Sequence, residues 1–415
     1  MRVLARLLVR VFFRRIDVAG AERLPAGPTV IVANHTNGLV DGLLLIATLG
    51  RYPRFLGKAT LFSIPPLRLF LRLAGVVPVH RLADGAGTQA NAAAFARCRE
   101  VLVSGGVIGL FPEGISHDEA TLQPLRTGAA RIALDAAGNG ASGVQIVAVG
   151  LVYDEKARFR SSALVRIGAP HAVPVGIAVR VLTADIAGQL ADAWPQRPAS
   201  AEADGLARGA SVVARPESEL PMAVDLETAV LLEQSLVGAP SATRDHVVTA
   251  MADYDEARMP LRAGDADVAA TFPERTCRRR LLVTALELIL LAPYAVVGAV
   301  VHFVAYRIVK VLGTKPTNVG IRSTVKLFGC FTLFTLTYLA LAVVAALSWS
   351  ALAGVVVMVA APVTGYAALR FGEAVRRFQA IVRGRRRRRD PRMLLAASAR
   401  ARVVDLVQSA VGSAI

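Results

Sequence analysis

The sequence predicts an α/β domain followed by membrane helices, and three observations carry that prediction. β-rich apolar runs alternate with helix-prone stretches over residues 20–195. From Leu281 the chain turns strongly apolar, in runs long enough to cross, or nearly cross, a hydrocarbon layer. Residues able to carry chemistry fall at the predicted strand ends, where the ligand loops of α/β domains gather.

Composition narrows the function classes. A chain of 415 residues holds one large or two ordinary domains. Its net charge is +17, with 54% hydrophobic and only 6% aromatic residues, which favours an anionic membrane surface as partner over nucleic acid. No RRM, zinc-finger or basic-zipper pattern supports a nucleic-acid reading. Cys98, Cys277 and Cys330 lie far apart without metal spacing. Neither a metal site nor a disulfide is expected, and the first domain is expected to face a reducing compartment.

Residues 1–19 are read as a basic amphipathic helix. Arg2, Arg6, Arg10 and Arg14 recur every fourth position, with Val3, Leu4, Leu7, Leu8, Val11 and Phe12 between them. The charges interrupt the apolar run too often for a signal-peptide core or a spanning helix. Two readings stand: a helix lying on anionic lipid, or one docked on the protein's own core.

Thr29–Ala33 reads as a buried strand, followed by the loop Asn34–Val40 and a helix-prone run at Leu43–Ala47. Asp41 is expected as that helix's N-cap. His35 beside a carboxylate pairs a general base with the group that orients it. Gly75–Arg81 follows as a strand ending in a cation, then an amphipathic helix over 88–103 with Ala93, Phe95, Val101 and Leu102 inward. The buried strand Val107–Phe111 runs into Pro112-Glu113-Gly114. Helix signals resume at Gly128–Leu134, and Val144–Val152 and Ala163–Ile167 are further β-rich runs. Lys58 reads as a surface cation. His80 and His117 stay outside the catalytic set, Asp118 being the one carboxylate at useful spacing from either.

Residues 196–280 read as helices and linkers. Leu281–Tyr306 is apolar but broken by Glu287, Pro293 and His302, whereas Phe328–Leu347 and Ala351–Ala368 are cleaner and separated only by Ser348-Trp349-Ser350. Basic clusters at Arg278–Arg280, Arg307–Lys326 and Arg383–Arg389 each favour the cytoplasmic side. The expected arrangement over 281–371 is a re-entrant first segment plus a helical hairpin, with three full crossings as the alternative. Residues 372–415 are expected to hold a basic cluster and an amphipathic surface helix.

Three blocks together resemble the glycerophospholipid acyltransferase family: Asn34-His35 with Asp41, Gly57-Lys58 with Pro78-Val79-His80-Arg81, and Phe111-Pro112-Glu113-Gly114 with Ser116. A weaker fourth is Ile146–Gly150, with Ala148 where the family usually has Pro. Five residues separate His35 from Asp41 where four is commoner, which is similar to the branch acylating glycerol 3-phosphate or dihydroxyacetone phosphate. The resemblance implies a mixed sheet flanked by helices and transfer of a fatty acyl group to glycerol 3-phosphate or lysophosphatidate. It implies His35 as base, Asp41 as orienter, and Arg81 with the Glu113-Gly114 turn at the acceptor phosphate. Glu113 would hold Arg81 or an acceptor hydroxyl, with nearby backbone N–H groups on the oxyanion. No cofactor is expected, only acyl-CoA or acyl carrier protein as thioester co-substrate, with membrane lipids as the other partner. The implied location is integral to the cell membrane, the catalytic domain facing the cytoplasm. A lipid hydrolase would need a nucleophile, and no G-x-S-x-G elbow is present. A non-catalytic membrane-anchored scaffold on the same fold is the competing reading.

Overall fold

The computed structural model describes residues 1–80, 91–174, 176–215, 224–269, 274–314, 319–387 and 390–412. They divide into two compact units: Met1–Pro198 with Thr317–Thr324, and Ala199–Pro316 with Val325–Ile415.

In the first unit, α1 (Arg2–Phe12) precedes β1 (Arg15–Ala19), β2 (Thr29–Ala33), α2 (Leu39–Thr48), β3 (Pro53–Lys58), α3 (Pro65–Leu73) and β4 (Val77–Val79). Then come α4 (Ala92–Val103), β5 (Val107–Leu110), α5 (Gly128–Gly138), β6 (Gln145–Tyr153), β7 (Ser162–Ala172) and α6 (Val179–Ala193). The strands form one mixed sheet in the order β1-β7-β6-β2-β5-β3-β4. Strands β2 to β6 run parallel, whereas β7 is antiparallel to β6 and parallel to β1. Central β2 is buried along its whole length, as a continuous Thr-Val-Ile-Val-Ala run between two parallel neighbours requires. Val30, Val32, Ile108, Ile132, Ile146 and Leu190 belong to one core layer in which the sheet packs on α4, α5 and α6.

The structure corrects several expectations. The first helix stops at Phe12, and residues 15–19 form an edge strand instead, because Ile16 and Val18 alternate in step with β7. Helix α1 docks on the unit's own core through Ala5, Leu8, Val9 and Phe12. Arg2 and Arg6 donate to the carbonyls of Leu49 and Ala47 at 3.0 and 3.2 Å, answering the unpaired end of α2. Asp41 is not an N-cap: α2 starts at Leu39 with Gly38 as cap, so Asp41 sits in the first turn, its carboxylate reaching back to the Asn37 N–H at 2.8 Å. In α4, Ala93 is exposed while Ala94, Cys98 and Leu102 face inward. Ala148 lies where the β6–β7 register shifts.

The second unit contains α7 (Ala201–Val213), α8 (Leu226–Val237), α9 (Ser241–Arg258), α10 (Asp265–Ala269), α11 (Glu274–Leu312), α12 (Val319–Ser348), α13 (Ala351–Arg387) and α14 (Pro391–Gly412). Helix α14 is not a surface tail. Its Met393, Ala396, Val403 and Val407 recur at helical spacing and share a core with Leu206, Val247, Met251 and Tyr254.

Among the described residues, three helices, within 275–312, 322–348 and 351–387, are long and apolar enough to cross a membrane. The re-entrant segment is not what forms: α11 is a single helix of 39 residues with Pro293 inside it. The polar residues read as interruptions of that run find partners on neighbouring helices. Glu287 pairs with Arg370 and Arg377 of α13. His302 bonds the Gly298 carbonyl and the Tyr338 hydroxyl, both at 2.7 Å. Contacts of Glu287 with Arg377 and of Gly298 with Thr364 make α11 and α13 antiparallel. The clusters Arg278–Arg280 and Arg383–Arg387 therefore share one end of this pair.

Candidate active site

The carboxyl ends of the parallel strands converge on one loop cluster. β2 delivers Asn34 and His35, β3 delivers Lys58, β5 leads to Phe111 and Glu113, and β6 ends at Tyr153. Asn34 is fully buried and spans to β6, accepting from Leu151 N–H at 2.7 Å and donating to its carbonyl at 3.0 Å. That pair fixes where the chain leaves the sheet, one residue before His35.

His35 Nδ1 lies 2.9 Å from Asp41 Oδ2, with the Asp41 side chain wholly buried and the histidine 16% exposed. The carboxylate accepts a hydrogen bond from Nδ1–H, which leaves the ring's lone pair on Nε2. Asp41 is itself held on both oxygens. Oδ2 also accepts from Asn37 N–H at 2.8 Å, and Oδ1 accepts from the Tyr153 hydroxyl at 2.5 Å. The His35 ring stacks on Phe111 at 4.0 Å between centroids, and Phe111 stacks on Phe55 at 5.6 Å. A Cβ at Gly109 would lie 2.6 Å from the Phe55 ring, so a larger residue there would press on this stack.

The loop after β5 is stitched to the His35 loop. Glu113 Oε1 accepts from His35 N–H at 2.9 Å, His117 N–H donates to the His35 carbonyl at 3.1 Å, and Gly38 N–H donates to Ser116 Oγ at 3.1 Å. Glu113 Oε2 takes the His117 ring and the Gln123 N–H. Backbone N–H groups of His35, Asn37, Gly38 and Gly114 are thus committed to protein acceptors rather than aimed at a reacting oxygen.

A cavity of about 310 Å³ opens beside His35. Leu43, Ile46, Leu61, Phe70, Leu71 and Val76 make much of its wall apolar, while Lys58 and Arg126 bring positive charge. Gly114, at φ +73°, lets its turn lie against the Arg126 side chain. An imidazole base, an oriented carboxylate, cations and an apolar wall suit proton removal from a hydroxyl next to an anionic, lipid-like substrate.

Comparison with known proteins finds likeness over the residues that build this site. The acyltransferase family model matches residues 15–152. The chain is 31% identical over 123 residues to the chloroplastic 1-acyl-sn-glycerol-3-phosphate acyltransferase BAT2 of Brassica napus, covering 29% of this chain and 34% of that protein. Residues 15–152 thus carry an acyltransferase domain that is similar to those of glycerophospholipid acyltransferases. A glycerol-3-phosphate O-acyltransferase of Saccharomyces cerevisiae is similar over 69 residues at 42% identity, 16% of this chain and 9% of its own. The crystal structure of the 1-acyl-sn-glycerophosphate acyltransferase PlsC from Thermotoga maritima aligns with a TM-score of 0.36 and 19% identity, over 48% of this chain and 79% of that one. The chain spans about a third of the length of the plant relatives it matches.

Within the acyltransferase domain, His35 and Gly114 line the cavity, and the buried Asp41 meets His35 from behind its wall. Arg81 lies outside the described residues. Glu113 is 2% exposed and reaches His35 from behind, with its oxygens taken by protein donors rather than turned to the cavity. Lys58 and His80, read from sequence as peripheral, line the cavity. His117 pairs with Glu113 four residues earlier, not with Asp118, which bonds Lys156 at 2.9 Å. Tyr153 had one signal: it directly follows the β-rich run Val144–Val152, and the strand extends to include it.

Proposed function

We propose that this protein is a membrane-associated O-acyltransferase that moves a fatty acyl group from a thioester to the hydroxyl of glycerol 3-phosphate or lysophosphatidate. The observation that carries the reading is the His35–Asp41 pair beside an apolar cavity with two cations in its wall. His35 Nε2 takes the acceptor's hydroxyl proton as its oxygen attacks the thioester carbonyl. The resulting tetrahedral intermediate collapses, the C–S bond breaks, and the imidazolium returns the proton to the leaving thiolate. Asp41 keeps the imidazole in the required tautomer and stabilises the imidazolium between these steps.

Lys58 and Arg126 attract the acceptor phosphate or the developing oxyanion, Arg126 with the fork geometry that suits phosphate. Arg81 joins this set on the resemblance of its block. The apolar wall takes the acyl chain. Glu113 supports the site by holding the His35 loop. The donor is acyl-CoA or acyl carrier protein, the reaction needs no cofactor, and the three apolar helices hold the protein in the cell membrane with the acyltransferase domain at its cytoplasmic face.

The test is acyl transfer from labelled acyl-CoA or acyl carrier protein by purified protein, with glycerol 3-phosphate and lysophosphatidate offered separately. Transfer to either acceptor, lost in His35→Ala, supports the reading. No transfer with any donor and acceptor pair rejects it in favour of a non-catalytic lipid-binding role.

A further inference from the structure

We propose that Tyr153 is a positioning residue of this site: its phenol holds the Asp41 carboxylate and so tunes how strongly His35 holds a proton. The inference rests on the acyl-transfer reading for its kinetic consequence but not for the coupling itself.

Tyr153 is the last residue of β6, held in the sheet by pairing with Ala163 of β7. Its ring stacks on Phe13 at 5.7 Å, with an interplanar angle of 22°. Strand and stack together leave the hydroxyl aimed at Asp41 Oδ1, 2.5 Å away. Asp41 is wholly buried, so an unanswered oxygen would carry a desolvation penalty. The two oxygens divide the work: Oδ2 takes His35 Nδ1 and Asn37 N–H, and Oδ1 takes Tyr153.

Burial, and then the adjacent Asp41 charge, push the Tyr153 phenol well above its ordinary value. It therefore stays protonated and donating through the neutral range. A phenol donating to Oδ1 draws negative charge away from Oδ2, which weakens the carboxylate's pull on the His35 imidazolium. Without it, His35 would hold its proton more tightly and be a less available base. Among the described residues, the other charged or titratable groups at this loop are Glu113 and His117 after β5, while Lys58 from β3, His80 after β4 and Arg126 before α5 line the same cavity as His35. A comparison that changes Tyr153 alone leaves these in place.

The experiment uses the full chain in detergent micelles, with ¹³C-labelled histidine imidazoles followed by NMR against pH and the His35 signal assigned through His35→Ala. Tyr153→Phe keeps the ring and its stack on Phe13. It is expected to move the His35 midpoint upward, with the acid limb of kcat/KM following it. It should lower kcat several-fold at a pH below the shifted midpoint and leave the plateau above it nearly unchanged, with acceptor KM within about twofold. In an Asp41→Asn background the same change should leave the midpoint where it was, because the coupling runs through the carboxylate.

Site-specific 3-fluorotyrosine at 153 supplies a second variant with almost no steric change. Its stronger phenol donor should move the midpoint downward. An unmoved midpoint in both variants, or the same shift with and without the Asp41 carboxylate, would overturn the proposal. If the midpoint moves while the wild-type protein transfers no acyl group, the coupling stands and the acyl-transfer reading fails.

Discussion

Glu113 Oε1 accepts a hydrogen bond from the main-chain N–H of His35 at 2.9 Å, so the acidic residue of one motif fixes the backbone of the histidine in another. Its second oxygen serves His117 and Gln123 N–H. Glu113→Ala leaves buried donors unanswered, which costs roughly 1–3 kcal/mol for each group left bare. Loosening the His35 loop by about 1 Å is expected to lower kcat on the order of 100-fold. Because this carboxylate works from behind His35, acceptor KM should stay nearly constant. Steady-state kinetics checks the split: a large rise in acceptor KM with kcat preserved would place Glu113 on the substrate instead.

Gly109 supports the same histidine from further away. A Cβ there would meet the Phe55 ring at 2.6 Å, and Phe55 backs Phe111, on which His35 stacks. Gly109→Ala is expected to cost about 1–3 kcal/mol through overpacking, read as a lower denaturation midpoint, together with reduced kcat. Unchanged stability and turnover would mean that the stack yields freely and does not hold the ring.

Arg126 lies on the opposite footing, at the cavity wall against the Gly114 turn. Losing a charge-assisted contact worth about 1.5–3 kcal/mol should raise acceptor KM roughly 10- to 100-fold in Arg126→Ala. Arg126→Lys should recover only part of this, since a point charge does not reproduce the guanidinium fork. Acceptor titrations at fixed donor test it, and an unchanged KM would remove Arg126 from the phosphate contacts.

Much of this was legible in the sequence because it lies in local pattern. The continuous apolar β2 run, the loop carrying His35 and the Phe111–Gly114 turn each identify themselves within a few residues. What stayed hidden was long-range pairing. Tyr153 reaches Asp41 across 112 positions, and nothing in the spacing of either predicts the other. Asp118 is the carboxylate that spacing offers to His117, yet the histidine's partner is Glu113, because the loop turns back on itself. Glu287 and His302 read as breaks in an apolar run for the same reason: their partners, Arg370, Arg377 and Tyr338, lie on other helices.

That last pairing leads to a prediction about the membrane helices. Lipid offers no hydrophobic gain for bringing two apolar helices together, so close approach depends on small residues and packing. Gly298 supplies that approach between α11 and α13: a Cβ at this position would lie 2.0 Å from the Thr364 carbonyl oxygen. The obstacle is backbone inside a helix, which cannot rotate aside as a side chain would. Gly298→Leu should therefore force α11 from α13 and weaken the Glu287 pairing with Arg370 and Arg377, lowering the thermal midpoint in micelles by several degrees, as a loss of about 1–3 kcal/mol implies. Gly372 is the control, since it lies on α13 with nothing within 4 Å of its would-be Cβ. Gly372→Leu should leave the midpoint near wild type. Equal effects from the two substitutions would mean that leucine perturbs the helices generally, and that α11 and α13 do not depend on contact at Gly298.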